Sequence, residues 1–248
     1  QRLRHASCGW CRRMIVLVGT LTILGGFNLF GLLVSLWLDR RGVPPGLSAQ
    51  TVRRKPGTLT KRLPLIFFNL AILSIISALP LYYFSSTFSL DLPTVWSFLV
   101  QFAVLILVDD LWFYWVHRLI HENRWLYRKV HKTHHEAYAP VPIEYIYVHP
   151  AEWMAGGVGP AIGLGLLIGV FGGISVWTLW VWGAWRVIHE LDIHSGLAAK
   201  VGRWIPFFAA TEHHDLHHAR PTMGNYASSL TLWDKVFGTE IDASKVKR

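Results

Sequence analysis

Four apolar stretches divide this chain, and they leave it few folds to choose from. Residues 14–38 (MIVLVGTLTILGGFNLFGLLVSLWL) and 65–84 (LIFFNLAILSIISALPLYYF) are each long enough to cross about 30 Å of hydrocarbon as a helix. Residues 94–116 are as long, with Asp109 and Asp110 near their end. Residues 156–188 exceed one span and are interrupted by Gly172-Gly173. They read as a helical hairpin turning at those glycines, each arm short of a comfortable span. In lipid every backbone polar group must be bonded internally, so such segments become helices. The first stretch is too long for a signal peptide and lacks a small-residue cleavage site. Composition agrees: 52% of residues are hydrophobic and only 16% charged, against about 25% charged in an average soluble protein.

The charge is distributed as a bilayer would sort it. The net +9 suggests nucleic acid at first, but the basic residues crowd beside the apolar runs, and nucleic acid is set aside. The loop 39–63 holds Arg40, Arg41, Arg53, Arg54, Lys55, Lys61 and Arg62, while the loop 85–93 holds no Lys or Arg. The first loop is therefore expected in the cytosol and the second on the far side. The N-terminal tail carries four arginines and pulls the other way, seven against four. This orientation places residues 117–155 and 189–248 together on the cytosolic face. The expectation is an all-α integral membrane helical protein with a cytosolic histidine-rich helical cap. Residues 1–93 would form the tail and two spans with their basic loop. Residues 94–248 would form one domain of third span, membrane hairpin and cap.

Twelve of the 13 histidines fall between residues 117 and 218. His117 and His121 (HRLIH) are four apart and share a helix face. His131, His134 and His135 (HKTHH) follow at i, i+3 and i+4, and His214, His217 and His218 (HDLHH) repeat that pattern. One such triplet arises by accident; two of them and a pair, on one side of a membrane, do not. Neutral imidazole binds Zn, Cu, Fe or Ni. Eight donors exceed what one ion takes, so two ions are implied. His194 (DIHSG) is a ninth candidate ligand. His189 projects away from it on a helix, and Glu190 shares its face, so one of these two is a tenth ligand or a partner behind the ligands. His149 precedes a proline and either binds metal or caps a turn, and His213 points away. Asp110, Glu152, Asp192 and Asp215 are candidates to fix ring tautomers. Cys8 and Cys11 (CGWC) have no second pair to complete a zinc site and read as incidental.

The clusters HRLIH, HKTHH and HDLHH resemble the three histidine boxes of the fatty acid hydroxylase/sterol desaturase superfamily of membrane di-iron enzymes. The stretches EYIYVHPAE, DIHSG and GNYASSLTLWDKVFGTE are most similar to the C4-methylsterol oxidases, and the likeness runs from about residue 100 to 240. It implies two iron ions, O2 as oxidant and electrons from NAD(P)H through a cytochrome b5-like or other small redox protein. The implied ligands, which carry the catalysis, are His117, His121, His131, His134, His135, His194, His214, His217 and His218. The implied substrate is a lipid, most closely the C4 methyl of a sterol; fatty acid hydroxylation and sterol desaturation use the same ligands. Two departures stand out. Leu197 replaces the family's usual Tyr after HSG, and KVKR does not have the spacing of a dilysine retrieval signal. The endoplasmic reticulum and a bacterial inner membrane are thus both expected locations.

Two other classes make different demands. A metal transporter would line its path with histidines inside the spans, whereas these lie at or beyond the span ends. A membrane zinc protease would want His-Glu-x-x-His; HELDIH is one residue too long for its two histidines to share a face.

Overall fold

The structure, a computed structural model, describes residues 9–44, 46–50, 54–198 and 205–242. Cys8 and the KVKR ending lie outside them; Cys11 is an exposed free thiol. The described chain is mostly helical. Helices α1 (Gly9–Arg41), α2 (Thr58–Tyr83) and α3 (Val95–Glu122) form the long elements, and Pro150–Phe171 is a fourth segment of spanning length and hydropathy. That segment is built as α6 (Pro150–Gly156) running into α7 (Val158–Phe171). These helices expose apolar side chains such as Phe30, Phe68 and Trp96 and bury polar ones such as Asn28, Asn69 and Gln101. That inversion suits a lipid surround, where interhelical polar contacts hold a bundle together.

The hairpin forms where the glycines place it. Gly172 ends α7 with φ of 71°, and α8 (Val176–Ile193) begins after Ser175, whose side chain accepts the N–H of Trp177. A two-residue parallel pairing of β1 (Phe88–Ser89) with β2 (Ile174–Ser175) ties this turn to the α2–α3 connection. A Cβ on Gly173 would stand 2.6 Å from the Thr87 carbonyl oxygen, so the close approach requires glycine. One apolar core, including Val16, Leu105, Ile174 and Trp182, fills this end of the bundle. A second, including Leu38, Ile66, Ile146 and Leu191, fills the other.

That other end carries the cap. After α3 the chain turns through α4 (Arg124–Leu126), a π-helical turn (Tyr127–His131) and α5 (Lys132–His135). A 3-10 turn, Pro142–Ile146, leads back into α6. Beyond α8, the short helices α9 (Thr211–Ala219) and α10 (Leu232–Val236) complete it. A buried ion-pair network clamps the cap to the spans. Glu144, fully buried, receives Arg54 at 2.5 and 2.9 Å and Arg62 at 2.6 Å. Arg54 also binds Asp39 at the end of α1 at 2.7 Å. The backbone around Glu144 is thereby fixed against both α1 and α2, nine residues beyond the last histidine of the second cluster.

Candidate metal centre

Five elements bring the nine box histidines to one place. The last turns of α3 carry His117 and His121, the π turn and α5 carry His131, His134 and His135, the C-cap of α8 is His194, and α9 carries His214, His217 and His218. They gather as two adjoining groups. His117, His121, His131, His135 and His217 form one, and His134, His194, His214 and His218 form the other; within each, the candidate ligand atoms lie within 4.8 Å of one another. The rings of His135 and His218, one from each group, are 4.9 Å apart.

The split follows helix geometry. Residues i and i+4 lie one above the other, and i+3 is offset around the axis. Each His-x-x-His-His triplet therefore sends its outer pair to one group and its middle residue to the other. His131 and His135 join the five-residue group and His134 the four; His214 and His218 join the four and His217 the five. The first pair and His194 complete them. The repeated motif thus feeds two imidazole groups in mirrored roles, a division that residue spacing alone does not reveal.

The ring nitrogens fit cations. Nε2 atoms of His117, His121, His135 and His131 close a ring with edges of 3.1, 3.3, 3.0 and 3.1 Å. Flat or puckered, a ring of such edges has its corners about 2 Å from its centre, the length of a metal–imidazole bond. In the second group Nε2 of His214 is 3.0 Å from that of His194 and 3.1 Å from that of His218. Nδ1 of His117, His217 and His194 donates to the carbonyls of Tyr226, Gly224 and Glu190 at 2.7, 2.8 and 2.8 Å. A carbonyl only accepts, so these rings carry their proton on Nδ1 and turn an Nε2 lone pair inward. In the five-residue group His117 and His217 so aim two lone pairs into one space, where a cation would satisfy both. His217 Nε2 is buried and has no hydrogen-bond partner. The residues present therefore fit two metal ions.

Burial first, and neighbouring imidazoles second, hold His131, His134, His135, His214 and His218 well below the usual histidine value of 6.5. They are neutral at pH 7, as ligands must be. Groups depressed in the folded state stabilise it above their unfolded value and cease to do so as protons are forced on. Metal retention and thermal stability should thus be flat from pH 9 to 7 and fall together as pH drops below 6.5. Metal analysis after equilibration at stepped pH, beside melting curves, checks this; full retention at pH 5 would refute it.

The other sequence candidates fall outside the two groups. His149 is exposed and its Nδ1 accepts the N–H of Ala151, capping α6. His189 stacks on Trp185 and donates Nε2–H to the Ser228 carbonyl. His213 stands 3.4 Å from Asp234. The Glu190 carboxylate lies 3.8 Å behind His194 and accepts from Ser228, so it backs a ligand rather than joining them. Glu152 Oε2 lies 2.8 Å from His131 Nδ1, off the line of a good hydrogen bond. Its spacing from His117 predicts that Asp110 holds a ring tautomer. Its carboxylate instead accepts the N–H groups of Ser229 and Leu230 at 2.7 and 3.0 Å. No contact from Asp192 or Asp215 to a box imidazole occurs among the described residues.

The stretch GNYAS, expected from its place just after the last cluster to close the site, lies against it, and the acid that holds it there is one that His spacing does not flag. Segment 224–231 crosses the site, with Asn225 at φ 57° and Gly224 at φ 140°. Asp234, fully buried in α10, accepts the N–H groups of Tyr226 and Ala227 at 2.9 and 3.0 Å and the Thr239 hydroxyl at 2.7 Å. Burial opposes its ionisation, yet His213, Thr239 and the Ala227 N–H hold it below the usual carboxylate range. A Cβ on Gly224 would run into the Thr239 carbonyl. Gly224→Ala should strain the segment by about 1–3 kcal/mol and pull the Gly224 carbonyl off His217. The expected result is a lowered melting temperature with weaker metal retention; unchanged melting would contradict this geometry.

A family model, Fatty acid hydroxylase, matches residues 102–239, which contain every one of these imidazoles. The chain belongs to this family. Its similar proteins include methylsterol monooxygenase 1 of Rattus norvegicus, 37% identical over 167 residues, 64% of this chain and 55% of the relative. A methylsterol monooxygenase of Aspergillus fumigatus is 34% identical over 169 residues, 67% of this chain and 56% of the relative. A very-long-chain aldehyde decarbonylase of Oryza sativa subsp. japonica is 36% identical over 159 residues, 61% and 50%. The chain spans about half the length of the curated relatives it matches. No solved structure matches it.

Proposed function

We propose that this fatty acid hydroxylase family member is a membrane-bound, di-iron, O2-dependent oxidase acting on a C–H bond of a lipid, most closely the C4 methyl of a sterol. The observation that carries the reading is the pair of buried imidazole groups, five and four residues, side by side at the end of an apolar bundle. An unactivated C–H bond yields to no side-chain acid, base or nucleophile, so a bound metal must supply the oxidising chemistry. The nine histidines of the two groups would hold it, all through neutral imidazole. Methylsterol monooxygenases among the relatives favour a sterol; the rice aldehyde decarbonylase keeps another long-chain lipid as the second reading.

The chain's own residues supply access and surroundings. α3 exposes Leu107, Trp115 and Leu119 along its length and ends in the first ligands, so a bilayer-dissolved substrate meets the site from that side. Its aromatic stretch also clasps the cap: Tyr114 is buried and contacts Thr239, and Trp115 packs on Phe237. Phe113 lies against His117 and, with Tyr226 beside His121, keeps the imidazoles dry. Inserting one oxygen atom, RH + O2 + 2e− + 2H+ → ROH + H2O, needs two electrons that imidazoles do not provide. Arg124, Arg128, Lys129 and Lys132 are exposed on the outer side of the segment whose inner side bears His131 and His134. That cationic face suits an acidic, cytochrome b5-like donor fed by NAD(P)H, with the cap on the cytosolic face of the endoplasmic reticulum or a bacterial inner membrane.

The test is the purified full chain in nanodiscs with O2, NAD(P)H and a reductase–cytochrome b5 couple. Two irons per chain and addition of oxygen to a 4-methylsterol are expected. One zinc per chain, or turnover of long-chain aldehydes with sterol untouched, would defeat the sterol oxidase reading.

A further inference from the structure

Three peptide units of the 224–231 segment share one arrangement. The unit joining Tyr226 to Ala227 accepts His117 Nδ1–H on its oxygen at 2.7 Å and donates its N–H to Asp234 at 3.0 Å. The unit joining Gly224 to Asn225 accepts His217 Nδ1–H at 2.8 Å and donates to the Thr239 carbonyl at 2.9 Å. The unit joining Ser228 to Ser229 accepts His189 Nε2–H at 2.9 Å and donates to Asp110 at 2.7 Å. Each amide is thus drawn toward an acceptor on one side and presents a more negative oxygen to an imidazole on the other. Hydrogen bonds in series polarise one another, and an anion at the head of a chain makes the strongest links.

We propose that Asp234 is a positioning residue for the five-histidine group, acting on His117 through the Tyr226–Ala227 peptide as a carboxylate–peptide–imidazole relay. Carboxylates commonly orient metal-bound histidines by direct contact and raise their basicity; here one peptide unit intervenes. Asp234 also holds the segment that presents the Gly224 carbonyl to His217. Both imidazoles it reaches through this segment belong to the five-residue group and none to the four, and His213, which it contacts directly, belongs to neither. Its effect must therefore fall on one ion of the pair. Asp110 makes the same kind of relay to His189, which lies in neither group, and so provides an internal control in the same segment.

The proposal rests on the two-metal reading, and the experiment separates the two. Metal-free full-length protein in detergent is titrated with Co(II), read by visible absorption and calorimetry, with melting temperature as a measure of fold. Wild type should take up two equivalents. Asp234→Asn should weaken one of them by about 10–100-fold, the range for loss of an orienting partner, and leave the other within a few-fold. Asp110→Asn should leave both within a few-fold even where its melting temperature falls as far. Asp234→Glu, which keeps the charge but displaces both oxygens, should show the same selective loss and stands in if the Asn variant does not fold. The relay is overturned if the folded Asp234 variant binds both ions like wild type. It is equally overturned if Asp234 and Asp110 variants weaken the same ion alike, or if both ions weaken together. Wild type binding one ion or none would defeat the two-metal reading itself, and the relay with it.

Discussion

Full-length protein carrying His134→Ala should hold about one metal ion per chain where the wild type should hold two. His134 is one of only four imidazoles in its group, and the three left behind, His194, His214 and His218, must hold the ion alone. Affinity at that position should drop by more than the ~100-fold that mere loss of an orienting partner costs. His217→Ala removes one of five and leaves the Nε2 ring of His117, His121, His135 and His131 intact. It should weaken the other ion by less, and turnover should fail in both variants. Metal analysis after dialysis against graded chelator distinguishes them, on protein whose elution profile shows it folded. Two ions retained by both variants would mean that these imidazoles are packing, not ligands.

Glu144→Ala should be the most destabilising single change outside the metal groups. It strands the guanidinium groups of Arg54 and Arg62, each about 10% exposed, without the carboxylate that balances them. Breaking a buried ion pair from one side costs about 3–5 kcal/mol, and for a chain of this size that is a melting shift of about 10 °C or more. Glu144 also accepts the Val141 N–H at 3.0 Å, so the turn leading to α6 loosens as well. Replacing all three residues by apolar ones of similar volume should be far milder, since no charge is then left unbalanced. Melting curves in detergent give both values. A Glu144→Ala protein melting within a few degrees of wild type would show the network to be hydrated.

Much of this was legible in advance because hydropathy and His spacing are local signals. The apolar runs predict the spans, Gly172-Gly173 predicts the hairpin turn, and nine histidines can be picked as candidates one by one. Their allotment between two groups is not legible. Spacing gives the helix face a side chain leaves from, not the point its ring reaches, and the π turn at Tyr127–His131 alters the register where it matters most. Asp110 shows the same limit. Its place two turns before His117 pointed to a ring contact, whereas the backbone of a segment more than a hundred residues later takes its charge. Glu144 and Asp234 lie in stretches that carry the family likeness, EYIYVHPAE and GNYASSLTLWDKVFGTE, but nothing in those stretches says what either carboxylate binds. The weight of each comes from partners brought there only by the fold.

The mirrored allotment of the two triplets has a consequence for which sequences can keep this architecture. An insertion within His-x-x-His-His would swing the following imidazole by about 100° around its axis and disrupt both groups at once, since neither triplet belongs to a single group. The lengths of chain joining the clusters face no such arithmetic: they can grow, shrink or be exchanged so long as their ends still meet the bundle. Variation should therefore gather between the clusters and stop abruptly at their edges.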